Sequence, residues 1–280
     1  MTEPTRSTFL RRKLGAKLRR MREKAEFTLD KAAAQLDKTR TALHRIEKGE
    51  TKPDVHLVRS MMDLYDSYDE DLIEEVREAR KPPWYRAFGT KNMGYVDVET
   101  EAARVQQLLL VDMPGLLQTE SYMRALFTTD PSRSQRALNN DIAVRLIRQR
   151  RLSDEHRPLE LVAVVYEPAL RRKIGDPQVM HEQLRNLIDM SGLPTVTLQV
   201  VPLEGGSYRV PNGPFTLLTF PDPEDLQLLY IEYPTGSLHI EDAKEVQEAT
   251  LVFDRLQNNA LSPADSVALI KRLIISEYGH

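Results

Sequence analysis

Two arginines and a threonine, Arg40, Thr41 and Arg45, are the side chains of this sequence best suited to reading DNA. A guanidinium group can donate two hydrogen bonds to guanine O6 and N7, and threonine can contact a thymine methyl group or a base edge. All three lie within residues 28–49, whose spacing predicts two short helices joined by a tight turn. A second helix rich in exposed Arg, Thr and His is typical of a helix-turn-helix, which lays that helix in the major groove. We therefore predict these DNA-binding residues: Thr28, Thr39, Arg40, Thr41, His44, Arg45 and Lys48.

The spacing of apolar residues predicts the positions of the two helices and the faces that they bury. Thr28 is a predicted cap for the first helix and Thr39 for the second, in which Leu43 and Ile46 point inward. Gly49 stands where a helix C-cap needs a left-handed residue. The apolar stripe of the first helix is Leu29, Ala32, Ala33 and Leu36.

Further helices flank this pair. Leu10, Leu14, Leu18 and Met21 predict an upstream helix whose other face is basic. Val55, Val58, Met62 and Tyr65 predict one downstream, so that residues 8–66 are interpreted as five short helices, followed by an acidic helix at 70–80. A solvated helical bundle with no role in nucleic-acid binding is the alternative. The basic face comprises Arg11, Arg12, Lys13, Lys17, Arg19 and Arg20.

The distribution of charge favours DNA as the partner. Residues 6–52 hold 15 Lys and Arg against 6 Asp and Glu, a net charge of +9, although the whole chain carries −3. Residues 53–280 carry a net charge of −11. A basic N-terminal run can also be a disordered arm or a membrane-surface patch. Because this one interleaves with helical periodicity, we expect a phosphate-binding surface, to which Lys17 and Lys48 contribute without base preference.

A set of short motifs at fixed spacing covers residues 14–53. The set comprises Leu14-Gly15, Leu18-Arg19, Arg22, Phe27-Thr28-Leu29, Arg45-Ile46-Glu47, Gly49 and Pro53. In these motifs the sequence resembles the Xre/Cro-repressor-like family of DNA-binding domains. This resemblance implies five helices, with helix two at about 29–36 and the recognition helix at about 39–47. It also implies that Arg40, Thr41 and Arg45 face bases, that Thr28 touches a phosphate, and that Arg22 pairs with Glu47. The sequence departs from the family at Glu26, where glycine is usual, and at Asp37-Lys38, where a glycine and an apolar residue are usual.

The chain is long enough for about two domains. We predict a helix-turn-helix domain over 1–80 and a regulatory or interaction domain over 81–280, with 81–97 as a junction marked by Pro82-Pro83. The predicted fold class is α+β overall: an all-α five-helix domain, then a larger α+β domain with a small mixed sheet. Its predicted helices cover about 99–110, a stretch after 119, 134–152, 176–190, 241–258 and 263–277, and its strands 159–166, 195–201, 213–220, 226–233 and 237–240.

No catalytic constellation is visible in the larger domain. Glycine-rich phosphate loops, a His-Glu-x-x-His pair and a Gly-x-Ser-x-Gly elbow are absent, and no two of the six histidines have metal-ligand spacing. We therefore expect no enzyme, no cofactor and no metal site. Trp84, Tyr85 and Tyr95 either close over a ligand or, as we prefer, join the two domains. The chain has no cysteine, no apolar run long enough for a membrane span and no secretory signal, so we expect a cytoplasmic, nucleoid-associated protein.

A second set of motifs lies in the larger domain. The set comprises Met113–Thr119, Tyr122, Arg124-Ala125-Leu126, Arg148-Gln149-Arg150, Leu152, Glu167–Leu170, Gln183-Leu184, Phe215 and Ser266. In these motifs the larger domain is similar to that of actinobacterial WhiJ-like regulators. That resemblance implies transcription control and a small neighbour-encoded partner protein. We expect double-stranded DNA as a partner, a homodimer formed mainly through 81–280, and sensing of a small molecule or partner protein by that region. An antitoxin-like interaction protein and an enzyme with a DNA-binding tag are the alternatives.

Overall fold

The computed structural model describes residues 9–89, 94–128, 134–204, 213–222 and 225–278. The chain divides into two compact units, Met1–Glu101 and Ala102–His280. The first unit is helical and the second holds a mixed sheet with helices, which confirms the predicted α+β fold class. The first unit extends past Arg80 to Glu101, further than the domain that we predicted over 1–80.

Six α-helices and one 3-10 helix make up the described part of the first unit. Only four of them lie within 9–65, so the prediction of five helices over 8–66 is wrong; the fifth is α5, which buries Leu72, Val76 and Ala79 in the same core. The helices are α1 Phe9–Lys24, α2 Leu29–Gln35, α3 Arg40–Glu47, α4 Val55–Tyr65, α5 Glu70–Arg80, the 3-10 helix Trp84–Phe88 and α6 Gly94–Glu101.

Local sequence explains where α2 and α3 begin. The Thr28 hydroxyl accepts a hydrogen bond from the Lys31 backbone N–H at 3.3 Å, and the Thr39 hydroxyl accepts one from that of Ala42 at 3.1 Å. Each bond satisfies a donor that the first helical turn leaves without a partner, so both predicted caps are confirmed.

Left-handed residues separate these helices. Gly49 has φ of 68°, as predicted for a helix C-cap. Glu26 and Asp37, the two positions where the sequence departs from the family pattern, have φ of 60° and 51°. The left-handed conformation costs a residue with a Cβ roughly 1–2 kcal/mol. The turns are therefore formed, but two acidic residues occupy positions that glycine would fill with less strain.

An apolar core of the first unit includes Leu14 and Leu18 of α1. Between them Gly15 allows α1 to approach α3 closely, because a Cβ at Gly15 would lie 2.5 Å from the carbonyl oxygen of Glu47. The prediction that Arg11 lies on a solvated basic face is wrong: the residue is buried, because α6 packs against α1. That contact joins segments far apart in sequence.

The second unit contains six strands and six α-helices among its described residues. Its predicted strands are confirmed, as are the helices that follow 119, 134, 176, 241 and 263. They are β1 Arg104–Leu109, α7 Glu120–Phe127, α8 Gln135–Gln149, β2 Glu160–Tyr166, α9 Glu167–Arg171, α10 Pro177–Met190, β3 Val196–Val201, β4 Phe215–Thr219, β5 Leu228–Tyr233, β6 Gly236–Ile240, α11 Ala243–Asn259 and α12 Pro263–Tyr278.

The sheet has the strand order β3-β2-β1-β4-β5-β6. Strands β1, β2 and β3 are parallel, and β1-β4, β4-β5 and β5-β6 are antiparallel pairs. The predicted helix over 99–110 is wrong, because α6 ends at Glu101 and β1 follows. Val105 pairs with Leu161 on one side and Leu218 on the other, so β1 lies inside the sheet. A strand covered on both faces lacks the alternation that marks a half-exposed strand.

Helices cover this sheet: α12 packs on β3, and α11 packs on β3, β4 and β5. Phe253 of α11 lies in a core with alternate residues of β2, Val162, Val164 and Tyr166. In the part of the chain that the structure describes, no helix is both long and apolar enough to span a membrane.

Candidate nucleic-acid interface

The seven residues predicted to bind DNA are all solvent-exposed. Leu43 and Ile46 are buried in the core, as the spacing predicted. Six of the seven lie on α3 or at its two ends, and Thr28 lies at the start of α2. The first turns of both helices therefore present their N-termini and hydroxyl groups at one surface, where backbone N–H groups favour phosphate oxygens. We call this set of seven residues the recognition surface.

A buried ion pair fixes the recognition helix to α1. Arg22 Nε lies 2.7 Å from Glu47 Oε1 and Arg22 Nη2 lies 2.9 Å from Glu47 Oε2, which is a bidentate geometry. Arg22 Nη1 also donates to the Phe27 carbonyl oxygen at 2.7 Å. The Glu47 carboxylate raises the pKa of Arg22, more than burial lowers it. The pair implied by the family resemblance is thus present, and it joins α1, the turn before α2 and the end of α3.

A cavity of about 220 Å³ opens beside this pair, and it divides the recognition surface. Arg40, His44 and Lys48 line the cavity, whereas Thr41 and Arg45 do not. The helical repeat explains the division, because positions four apart lie on the same side of a helix. Two adjacent faces of α3 are therefore available, one directed into the cavity and one beside it.

Each exposed arginine of the recognition surface lies near one carboxylate. Arg40 Nε is 3.3 Å from Asp30 Oδ1, and Arg45 Nε is 3.5 Å from Glu50 Oε2. Exposed pairs of this kind are worth at most about 1 kcal/mol, so DNA can replace them.

Lys17 has a structural role that the sequence did not indicate. Its ammonium lies 2.7 Å from Asp69 Oδ2 and 3.0 Å from Glu75 Oε1, and 16% of its side chain is exposed. Burial lowers the pKa of Lys17, but the hydrogen bonds that its ammonium donates to these two carboxylates outweigh this effect and raise the pKa overall. The expectation that Lys17 contacts phosphates is wrong, because its charge is used to hold α5 to α1.

The aromatic residues of the predicted junction pack inside the first unit. The Trp84 ring lies 6.1 Å from that of Tyr85 and 6.2 Å from that of Phe88, and Trp84 Nε1 donates to Thr100 Oγ1 at 3.1 Å. The Tyr85 hydroxyl donates to Asp97 Oδ1 at 3.3 Å. These contacts connect the 3-10 helix to α6, and they account for the aromatic residues without a ligand.

The Met113–Thr119 segment of the second unit is held by amide side chains. Gln183, which is fully buried, donates to the Leu117 carbonyl oxygen at 2.8 Å and accepts from the Thr119 backbone N–H at 2.7 Å. Gln149 donates to the Gln118 carbonyl oxygen at 2.7 Å. The segment follows β1, and Leu117 within it is buried. The amides satisfy backbone groups that a loop would otherwise leave unpaired.

The compact helical fold, the buried link from α1 to α3 and the exposed face of α3 define a helix-turn-helix domain, a class whose usual partner is DNA. A family model described as "Helix-turn-helix domain" matches residues 13–76. The chain belongs to the family described as "Domain of unknown function (DUF5753)", whose model matches residues 93–272. No curated protein and no solved structure matches the chain significantly. The predicted order, a helix-turn-helix domain before an uncharacterised C-terminal domain, is confirmed, and it suggests a DNA-binding regulator.

Proposed function

We propose that the protein is a sequence-specific transcriptional regulator of the Xre type that binds operator DNA through the recognition surface. The observation that carries the proposal is the exposed polar face of α3, held rigidly to α1 by the buried Arg22–Glu47 pair. The net charge of +9 over residues 6–52 supports it, since phosphate neutralisation supplies most non-specific affinity. DNA as a partner also implies that the protein acts in the cytoplasm.

Alanine substitutions in a competition assay test this proposal. Arg40→Ala should weaken operator binding by about 1–3 kcal/mol and relax the preference at one base position. Lys48→Ala should weaken all sequences alike, because a lysine at the helix end contacts phosphates. Arg77→Ala is the control, since Arg77 is an exposed arginine of α5 paired with Glu74. An unchanged operator preference in Arg40→Ala contradicts the assignment of this face.

We further propose that residues 102–280 sense a small molecule or a partner protein, without catalysis, and mediate dimerisation. Residues 102–280 hold 18 Lys and Arg against 23 Asp and Glu, a net charge of −5, which supports the binding role, because an acidic body repels DNA and confines contact to the basic domain. A dimer would place two recognition helices on half-sites about 34–36 Å apart. Light scattering on the full chain, with and without operator DNA, tests the dimer: a monomer in both conditions contradicts it.

Sensing is tested by the effect of co-purifying molecules on operator affinity. A partner changes that affinity only if it binds the DNA-competent state more tightly than the other state. The measurement compares the full chain alone with the chain co-expressed with its gene neighbours. An unchanged operator affinity, together with turnover of a substrate by the full chain, would favour an enzyme with a DNA-binding tag.

A further inference from the structure

Hydrogen bonds hold the segments of Lys52 and Arg80 together at the loop that follows the recognition helix, and the positive charge of Arg86 acts on Lys52. Lys52 lies in the loop between α3 and α4, Arg80 ends α5, and Arg86 lies in the 3-10 helix Trp84–Phe88. Lys52 Nζ donates to the Arg80 carbonyl oxygen at 2.8 Å. Arg80 Nη1 donates in turn to the Pro53 carbonyl oxygen at 3.3 Å. These two hydrogen bonds hold the end of α5 against the loop and leave the remaining donors of both side chains directed elsewhere.

The three cations are exposed, and among the described residues no carboxylate lies within 4.0 Å of any of them. Desolvation and the positive charges of Arg11, Arg80 and Arg86 lower the pKa of Lys52. Lys17 shows the opposite behaviour, because Asp69 and Glu75 raise its pKa. The fold thus gathers positive charge at Lys52 without supplying the negative charge that it supplies at Lys17.

Two carboxylates that interact with arginines in this region accept hydrogen bonds from other groups. Asp97 is near Arg11, but its carboxylate accepts hydrogen bonds from the Phe9 backbone N–H at 2.5 Å and from the Tyr85 hydroxyl. Asp54 is near Arg80, but it caps α4 by accepting from the Leu57 backbone N–H at 2.9 Å. Neither carboxylate therefore forms an ion pair with Lys52, Arg80 or Arg86.

We propose that Lys52, Arg80 and Arg86 form a phosphate-binding site, which in the complex with DNA holds a backbone phosphate flanking α3. Arginine presents a fork of donors that matches phosphate oxygens, and lysine adds a point charge. Arg80 and Arg86 lie outside the matched helix-turn-helix segment, so the site extends the DNA-contacting surface into the residues that follow it. Only the source of the phosphate, DNA rather than a free anion, rests on the proposed function.

The first experiment measures the salt dependence of DNA binding by the full chain and by Arg86→Gln. The logarithm of the binding constant falls with the logarithm of salt concentration by about 0.9 per phosphate neutralised. Loss of one contact should therefore reduce the slope by about 0.9, so that a fourfold rise in salt costs the variant about 3.5-fold less affinity than the wild type. Operator preference should not change. Arg77→Gln is the matched control, because Arg77 is an exposed arginine already paired with Glu74 at 2.9 Å, and its slope should equal that of the wild type.

The second experiment measures thermal unfolding with inorganic phosphate at constant ionic strength. Phosphate should raise the unfolding temperature of the wild type and of Arg77→Gln more than that of Arg86→Gln, since a ligand stabilises the state that binds it. Arg80→Gln provides a second variant. A wild type that binds no DNA but shows this difference keeps the site, with free phosphate as its source, while the proposed function fails. Unchanged salt slope and unchanged phosphate response in both variants overturn the site and leave the proposed function standing.

Discussion

Replacing Glu47 by glutamine tests whether the buried pair with Arg22 positions the recognition helix. Glutamine keeps the length and planarity of the side chain and removes its charge, so the Arg22 guanidinium retains the Phe27 carbonyl oxygen, a neutral amide and the more exposed carboxylate of Glu23 at 3.5 Å. The side chains of Arg22 and Glu47 are 9% and 3% exposed, so water does not replace the lost partner. Breaking such a buried pair from one side costs about 3–5 kcal/mol.

An exposed pair provides the comparison. Arg77 Nη1 lies 2.9 Å from Glu74 Oε2, but the two side chains are 55% and 60% exposed. Exposed pairs contribute about 0.2–1 kcal/mol, so Glu74→Gln should lower the free energy of unfolding several-fold less than Glu47→Gln. Both variants replace a carboxylate by an amide, so the difference in burial accounts for the expected difference in the free energy of unfolding.

The assay is urea unfolding of the full chain followed by tryptophan fluorescence. The chain has one tryptophan, Trp84, which lies in the first unit and therefore reports on that unit. Operator affinity of Glu47→Gln, measured by fluorescence anisotropy where the variant is folded, should fall as well, because the end of α3 loses its link to α1. The double variant Arg22→Met with Glu47→Leu should recover most of the stability, since apolar replacement of both partners is often neutral. Equal losses in Glu47→Gln and Glu74→Gln would refute the reasoning.

Three further substitutions test how the first unit is built. Gly15→Ala should destabilise the first unit by about 1–3 kcal/mol in thermal unfolding, because the new Cβ meets the backbone of α3. Gly→Ala in a helix usually stabilises a protein, so a stabilised variant would contradict the close approach of α1 to α3. Glu26→Gly should raise the urea midpoint by an amount equivalent to about 0.5–1 kcal/mol, since the cost of the left-handed conformation at Glu26 exceeds the conformational entropy that glycine adds to the unfolded chain. A lower midpoint would show that the Glu26 side chain stabilises the folded unit through other contacts. Lys17→Gln should destabilise the unit while leaving the salt slope of DNA binding unchanged. Because Lys17 lowers the pKa of Asp69, the contribution of this pair to stability is present above the usual aspartate pKa and is lost as pH falls through the lowered value. The free energies of unfolding of the wild type and of Lys17→Gln, measured against pH, should therefore converge in acid.

The helices of the first unit could be predicted because their signals are local. Thr28 and Thr39 precede apolar stripes at helical spacing, and their hydroxyl groups make the capping bonds that such positions predict. The exposure of the recognition surface follows from the same spacing, once Leu43 and Ile46 are assigned to the core. The roles of Arg11 and Lys17 could not be predicted, because the groups that bury or neutralise them lie on α5 and α6, far along the chain.

The second unit shows where spacing misleads. Ala102, Val105 and Leu109 fit a helical stripe, but Val105 is paired on both sides inside the sheet. Two residues of the WhiJ-like resemblance have structural roles that their spacing did not indicate. The Glu167 carboxylate accepts a hydrogen bond from the Leu203 backbone N–H, and the Ser266 hydroxyl accepts one from the Val200 backbone N–H, both at 2.9 Å. Polar side chains that satisfy backbone groups across long sequence separations leave no periodic signal.

Constraints on α3 limit how its DNA binding can be regulated. The carbonyl oxygen of Glu47 sits against Gly15, its carboxylate is held by Arg22, and a Cβ at Gly49 would lie 2.6 Å from the Arg11 carbonyl oxygen. Packed interfaces of this kind move between discrete arrangements and do not deform gradually. A signal received by the second unit, in the function that we propose, therefore changes operator affinity by covering or moving the first unit as a whole, and it leaves the geometry of α3 against α1 intact. Variants that loosen this geometry, such as Gly15→Ala, should lower operator affinity with and without the signal to the same extent.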